Sequence, residues 1–242
     1  MATTITGTTI DVGPNKLVAD SAGNVGVGTA SPTLPLDIVS NASADALKLR
    51  ARSGNDYATM TFSSNDGATK WADIQSNVAK DLRFYTNGSS ETMRIDSAGI
   101  VTKPLQPAFS VDASVQYNFP INTVVTVPFD VEVFDVGANF NTSTKTFTAP
   151  VTGKYQLNVT VHMRGIDSAA NYYEAILNTS NRVYSNFTDG EGGTDPDTYT
   201  LTISQLCDMD LGDTAYVTIN QSGGAAQTDL RQGCHFSGYL AL

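Results

Sequence analysis

Asp189-Gly-Glu-Gly-Gly-Thr-Asp-Pro-Asp197 sets four carboxylates among glycines. Asp189, Glu191, Asp195 and Asp197 are hard oxygen donors on a pliable loop, the ligand type that Ca²⁺ takes in numbers. Their spacing is not that of the helix-loop-helix calcium site, and a solvated surface loop is the commoner fate of such a run. His162 and His235 are the only imidazoles. A zinc site built from them must recruit Cys234 and lacks the usual His/Cys spacing, so side chains in or beside a subunit interface are the plainer reading. Gly23-Asn-Val-Gly-Val-Gly28 fits neither nucleotide fingerprint, and a Pro-bearing segment follows where a helix would have to begin, which leaves a tight β turn. No Ser, His and Asp set carries a nucleophile-elbow phrase, and no carboxylate pair stands out for glycoside cleavage. The expectation is a non-enzymatic chain without cofactor, Ca²⁺ at the acidic loop being its one metal candidate.

The elements that would position these groups are strands. Tyr155, Leu157, Val159, Val161 and Met163 alternate with Gln156, Asn158, Thr160, His162 and Arg164, the period of a strand with two different faces. Ahead of it, Pro150 cannot donate to a ladder and Gly153 can take positive φ, which predicts a defined turn after Phe147. Near the end of the chain Phe236, Gly238, Leu240 and Leu242 share one face, expected in the core, and Tyr239 points the other way. Strand parity then gathers the loops 165–170, 188–198 and 221–233 at one end of the domain and Leu211-Gly212-Asp213 at the other.

Composition bounds the rest. A chain of 242 residues holds one large β domain or two smaller ones, and two is our reading. Charged residues are only 16% and Thr, Ser, Asn, Gly and Val abound, which favours strands and turns. A net charge of −10 and a pI of 4.4 repel phosphate backbones and anionic lipid, so nucleic acid and membranes are poor partners. The start of the chain has no basic or apolar run, and no segment approaches the ~20 apolar residues of a membrane span. This predicts a soluble chain made in the cytosol, or one exported without an N-terminal mark. For Cys207 and Cys234 a disulfide and two buried thiols are both open, the thiols preferred because a core of this size needs no staple.

Phe129, Gly137, Phe140, Phe147, Pro150, Gly153 and Tyr155, then Leu211-Gly212-Asp213 with Val217, then Phe236-Ser-Gly-Tyr-Leu240, stand in an order and spacing that resembles the globular head of complement C1q, one of the tumour-necrosis-factor-like jelly rolls. The resemblance covers residues 108–242. It departs at Asp135 and Thr144, where the family usually has Asn and Gly, and the collagen-like stalk is absent. It implies an all-β jelly-roll sandwich that forms a homotrimer, with Tyr239, His162 and Asn158 at the subunit interface. Asp167, Asp189, Glu191, Asp195, Gln227 and Arg231 then lie on the loop-bearing tip, the usual place for recognition on a rigid scaffold.

Residues 1–104 have another texture. Short apolar pairs (Val25 and Val27, Leu36 and Ile38, Leu47 and Leu49, Leu82 and Phe84, Met93 and Ile95) are separated by Gly, Ser, Asn and Asp, which reads as short strands and turns. Asp20-Ser-Ala-Gly-Asn-Val25 recurs as Asp96-Ser-Ala-Gly-Ile-Val101, a duplicated turn unit. Gly23 to Pro32 with Leu36-Asp-Ile38, and Leu82 to Gly88 leading to Met93-Arg-Ile-Asp-Ser-Ala-Gly99, are similar to segments of bacteriophage tail fibres. Such a module is expected to wrap around sister chains, and residues 105–107, within Lys103-Pro-Leu-Gln-Pro107, to form a stiff linker. The two resemblances imply a structural virion protein located in the virion. It would be a trimeric tail fibre docked to other virion proteins through its N-terminal region, whose knob, residues 108–242, binds a host glycan or outer-membrane protein. A capsid-attached head fibre or decoration protein with a clamp-like knob, and a bacterial C1q-like adhesin, are the alternatives.

Overall fold

The computed structural model describes residues 17–19, 22–29, 31–40, 46–51, 53–54, 56–190 and 193–242. Among them there are strands and turns and no helix, and the chain divides into two compact units, residues 1–90 with 94–101 and residues 91–93 with 102–242.

In the first unit β1 (Leu17–Ala19), β2 (Val25–Val27) and β3 (Leu36–Ile38) form one sheet in that order, β1 antiparallel and β3 parallel to β2. A second sheet runs in chain order through β4 (Ala58–Ser63), β5 (Lys70–Ser76), β6 (Leu82–Thr86), β7 (Ser90–Ile95) and β8 (Val101–Thr102). Leu47 and Leu49 lie in no strand. The second copy of the repeated phrase is the turn between β7 and β8: Asp96 Oδ1 accepts from the N–H groups of Ala98 and Ile100, both at 2.9 Å, and Gly99 takes φ of +84°. The first copy joins β1 to β2, although its Asp20 and Ser21 fall outside the described residues. Among the described residues this unit buries no hydrophobic side chain: every one that is buried is Phe109 or later.

The second unit is a sandwich. One sheet has the order β11 (Phe129–Val136), β9 (Ala108–Ala113), β20 (His235–Leu240), β14 (Gly153–Arg164), β17 (Thr198–Met209), with β19 (Asp229–Leu230) also on β14. The other has the order β12 (Phe140–Asn141), β13 (Thr146–Thr148), β18 (Thr214–Gly223), β15 (Ala170–Thr179), β16 (Val183–Asp189), with β10 (Val125–Thr126) on β18. Along β14, Tyr155, Leu157, Val159, Val161 and Met163 are all buried, so the alternation written in the sequence is the alternation of the strand.

Phe109 centres the core. Its ring stacks on Phe147 at 4.6 Å and Phe140 at 5.2 Å and meets Phe236 edge-on at 5.0 Å. Two details correct the sequence reading. Gly153 is not in the positive-φ region; a Cβ there would lie 2.6 Å from the Leu242 carbonyl oxygen, so close approach of the chain end is what needs glycine. Leu242 is 83% exposed, because β20 ends at Leu240 and the last residues continue only as a backbone partner of Lys154. In the segment read as a stiff linker, the Pro107 carbonyl accepts from the Leu240 N–H at 3.0 Å, and the Gln106 amide donates to the Leu240 carbonyl.

Candidate functional site

Two surfaces of the sandwich carry the residues singled out from the sequence. The first is the outward face of the sheet containing β14. Ladder register sets Leu206, Gln156 and Tyr239 in one row across β17, β14 and β20, then Ser204, Asn158 and Ser237, then Thr202, Thr160 and His235. Leu206 and Tyr239 are each about half exposed, and β11 at the sheet edge exposes Val131, Val133 and Phe134. The rows between are small and polar, and they satisfy one another. Ser204 Oγ donates to Asn158 Oδ1 at 2.9 Å, Gln156 Nε2 donates to Ser204 Oγ at 3.1 Å, and His162 Nδ1 lies 3.0 Å from Thr200 Oγ1. Such a face has few long charged side chains to desolvate, which suits the close approach of another sheet face. Tyr239, Asn158 and His162 share it. Leu206 went unnoticed in the sequence, although its place between buried Ile203 and Cys207 puts an apolar residue on the polar parity of β17.

The second surface is the end where the loops after β14, β16 and β18 meet. Gly165 N–H donates to the Asp197 carbonyl at 2.9 Å, and the Thr228 hydroxyl donates to the Gly165 carbonyl at 3.2 Å. Asp195 ties all three loops. One carboxylate oxygen accepts from the Ser168 hydroxyl at 2.7 Å and the other from Gln227 Nε2 at 3.0 Å. Those donors, Ser168 foremost, hold its carboxyl below the usual range. Asp167 does not present itself to solvent. It is buried, accepts from Ala169 N–H at 2.8 Å and from Ala225 N–H, and its own N–H donates to the Tyr173 hydroxyl. Its carboxylate is thus held inside the tip by its own loop and by the loop after β18.

Among its described residues the acidic run does not close into a cage. Asp197 pairs with Arg164 at 3.0 Å, Asp195 is engaged as above, Asp189 is exposed at the end of β16, and Glu191 lies outside the described residues. Among the described residues no group of three or more His, Cys, Asp and Glu converges. The zinc combination fails for the same reason: His235 Nδ1 turns to Asp112 Oδ1 at 2.6 Å, while buried Cys234 holds its sulfur against the His162 backbone. Arg231 instead lies over the exposed Tyr117 ring, 5.4 Å from its centroid, and the two line a recess of about 360 Å³ with Arg164 and His162. Tyr117 carried no signal in the sequence.

The cysteines are free thiols, both buried. Cys207 pairs across the ladder with Tyr155 and Cys234 sits against His162, seven residues further along β14. That separation is about 23 Å, far beyond the ~7 Å Cα limit of a disulfide.

These strands, their order and the aromatic core decide the family. The C1q domain model matches residues 108–241. The chain belongs to the C1q family. Among solved structures, the globular domain of zebrafish complement 1qA protein is similar, with 19% identity over 57% of this chain and 98% of that chain and a TM-score of 0.42. No curated protein matches the chain. Within the C1q domain, the two positions that depart from the family are absorbed locally. Asp135 accepts from Phe140 N–H at 2.8 Å, and Thr144 lies in a turn that Asn141 closes by accepting from Ser143 N–H at 2.9 Å.

Proposed function

We propose that this chain is a structural virion protein of a bacteriophage, a homotrimeric tail fibre whose C1q domain recognises the host surface and whose N-terminal unit joins it to other virion proteins. The observation that carries the oligomeric part is the absence of buried hydrophobic side chains before Phe109 among the described residues, while Met60 and Phe62, on one sheet face, stand 40% and 47% exposed. A sheet with an uncovered apolar face is marginal alone in water, and sister chains related by the C1q trimer's axis are the covering at hand. The tail-fibre phrases of residues 23–38 and 82–99 support the virion part. The loop end, polar and variable in loop length, is the contact surface, and three copies on one rigid knob add avidity to a weak single site.

The native mass of the purified chain is expected near 3 × 25.6, about 77 kDa. Phage whose fibres carry replaced loops at 165–170, 188–198 and 221–233 are expected to lose adsorption. Adsorption at the wild-type level would leave only a second reading, a capsid-attached fibre with the knob as a trimerisation clamp. The internal pairing of Asp167, Asp195 and Asp197 favours that alternative, since it leaves fewer polar groups for a receptor.

A further inference from the structure

The loop end carries a short outward-facing ladder. Leu230 of β19 lies opposite Met163 of β14, and on its other side Gln116 bridges to Leu230. The Arg231 N–H continues the pairing by donating to the His162 carbonyl at 3.1 Å. Leu230 and Met163 are buried, so the residues next to them and next to Gln116 turn to the opposite side: Val115, Tyr117, His162, Arg164 and Arg231. With Gln232 these line the recess of about 360 Å³, a volume at the low end for a small-molecule site.

In a chain of net charge −10, two guanidiniums and an imidazole line this one recess. Arg231 is the unusual member. Its side chain is 31% exposed and lies over the Tyr117 ring, and its ion-pair partner Asp229 is 3.6 Å away, too far for a hydrogen bond. Among the described residues no acceptor stands in hydrogen-bond geometry with its guanidinium, so a rigid fork of donors is left without a protein partner. Arg164 gives one nitrogen to Asp197 at 3.0 Å, and those side chains are 45% and 77% exposed. An exposed pair of this kind is worth little and is readily exchanged. It also shows what this fork accepts, a carboxylate. Asp229 beside Arg231 counts against a second negative charge, which favours a monoanion over a phosphate monoester. The rest of the lining does not suit an apolar body. Gln232 and the His162 ring hold donors and acceptors for hydroxyls, and the Tyr117 ring, 66% exposed, keeps surface for the C–H face of a sugar.

We propose that this recess binds a saccharide carrying a single carboxylate, a uronic or sialic acid, with the carboxylate on the Arg231 fork beside Arg164 and the hydroxyls on Gln232 and His162. The proposal rests on the reading that the loop end contacts the host surface, and gives that contact a ligand class.

The test is calorimetry and ligand-observed NMR on the full chain with galacturonate, glucuronate and N-acetylneuraminate. The methyl ester of galacturonate serves as an uncharged twin, lactate as a carboxylate without a sugar ring, and a hexose phosphate as a dianion. At least one sugar acid is expected to bind with a Kd at or below about 1 mM, at least about tenfold more tightly than the ester, lactate or the phosphate. Arg231→Gln and Tyr117→Ala are each expected to weaken it at least about tenfold. The exposure of Tyr117 means that its variant keeps the wild-type melting temperature, and it decides the matter if Arg231→Gln misfolds. Equal binding of acid and ester, tighter binding of lactate or the phosphate, binding that neither variant alters, or no binding at about 10 mM would overturn the proposal. If no sugar acid binds and phage with replaced loops still lose adsorption, the host contact stands and only this ligand class falls. Sugar-acid binding with undiminished adsorption of those phage would uphold the site and remove the host contact instead.

Discussion

At Gly238 a Cβ would stand 2.5 Å from Leu157 Cδ2 and 2.8 Å from Phe109 Cε1. The missing methyl is what lets Phe109 lie flat on Phe147 while meeting Phe236 by its edge. Gly238→Ala must push one of those rings off its rotamer, and we expect a loss of about 1–3 kcal/mol, read as a lower urea midpoint with an unchanged slope. An unchanged midpoint would mean that the core around Phe109 is loose. The sequence reading used Gly238 to assign a strand face, but it overlooked Phe109, whose buried side chain touches the very position that must be glycine. Cys207 is a plainer case: burial pushes its thiol up to about 11, the behaviour of a small hydrophobe in a core.

The loops after β14, β16 and β18 are an element held by charge as well as by backbone. Asp195 has its pKa lowered by Ser168 and Gln227, so its contribution to loop docking is complete above the ordinary carboxylate value of about 3.9. It is lost as pH falls through the lower folded value. Hydrogen-exchange protection of the Ser168 amide, which itself donates to Asp195 at 3.0 Å, is expected to fall as the pH drops below about 3.9. The β14–β17 ladder amides should keep theirs. Equal protection throughout would assign the docking to backbone bonds such as Gly165 to Asp197 alone. That these loops share an end was legible from strand parity. That Asp167 would be drawn inside was not, because the donor it faces, Ala225, belongs to another loop.

For the molecule as a whole, the two units differ in what they bury. A fragment of residues 102–242 contains every hydrophobic side chain that is buried among the described residues and is expected to unfold cooperatively. Residues 1–101 expressed alone are expected to be unfolded or aggregated by circular dichroism and size exclusion. Covering side chains such as Met60 and Phe62 is worth roughly 1.5–3 kcal/mol each, and the described residues of that fragment leave them 40% and 47% exposed. A monomeric 1–101 fragment with a cooperative melt would remove the argument for sister chains.

Local pattern and tertiary contact divided the work along a physical line. The period of β14, the Asp-Ser-Ala-Gly turn and the aromatic anchors Phe129, Phe140, Phe147, Tyr155 and Phe236 depend on neighbours in sequence or on the type of side chain. They were therefore readable before any coordinates, and with them the jelly roll and its two ends. What folding alone settled depends on pairs far apart in the chain: Gly153 against Leu242, Asp112 against His235, Arg231 over Tyr117. The same holds for the sheet of the N-terminal unit, where register between three strands, not any motif, brings Thr61, Asp73 and Tyr85 onto one face. A strand's own sequence states which residues share a side; it does not state which strand will lie next to it.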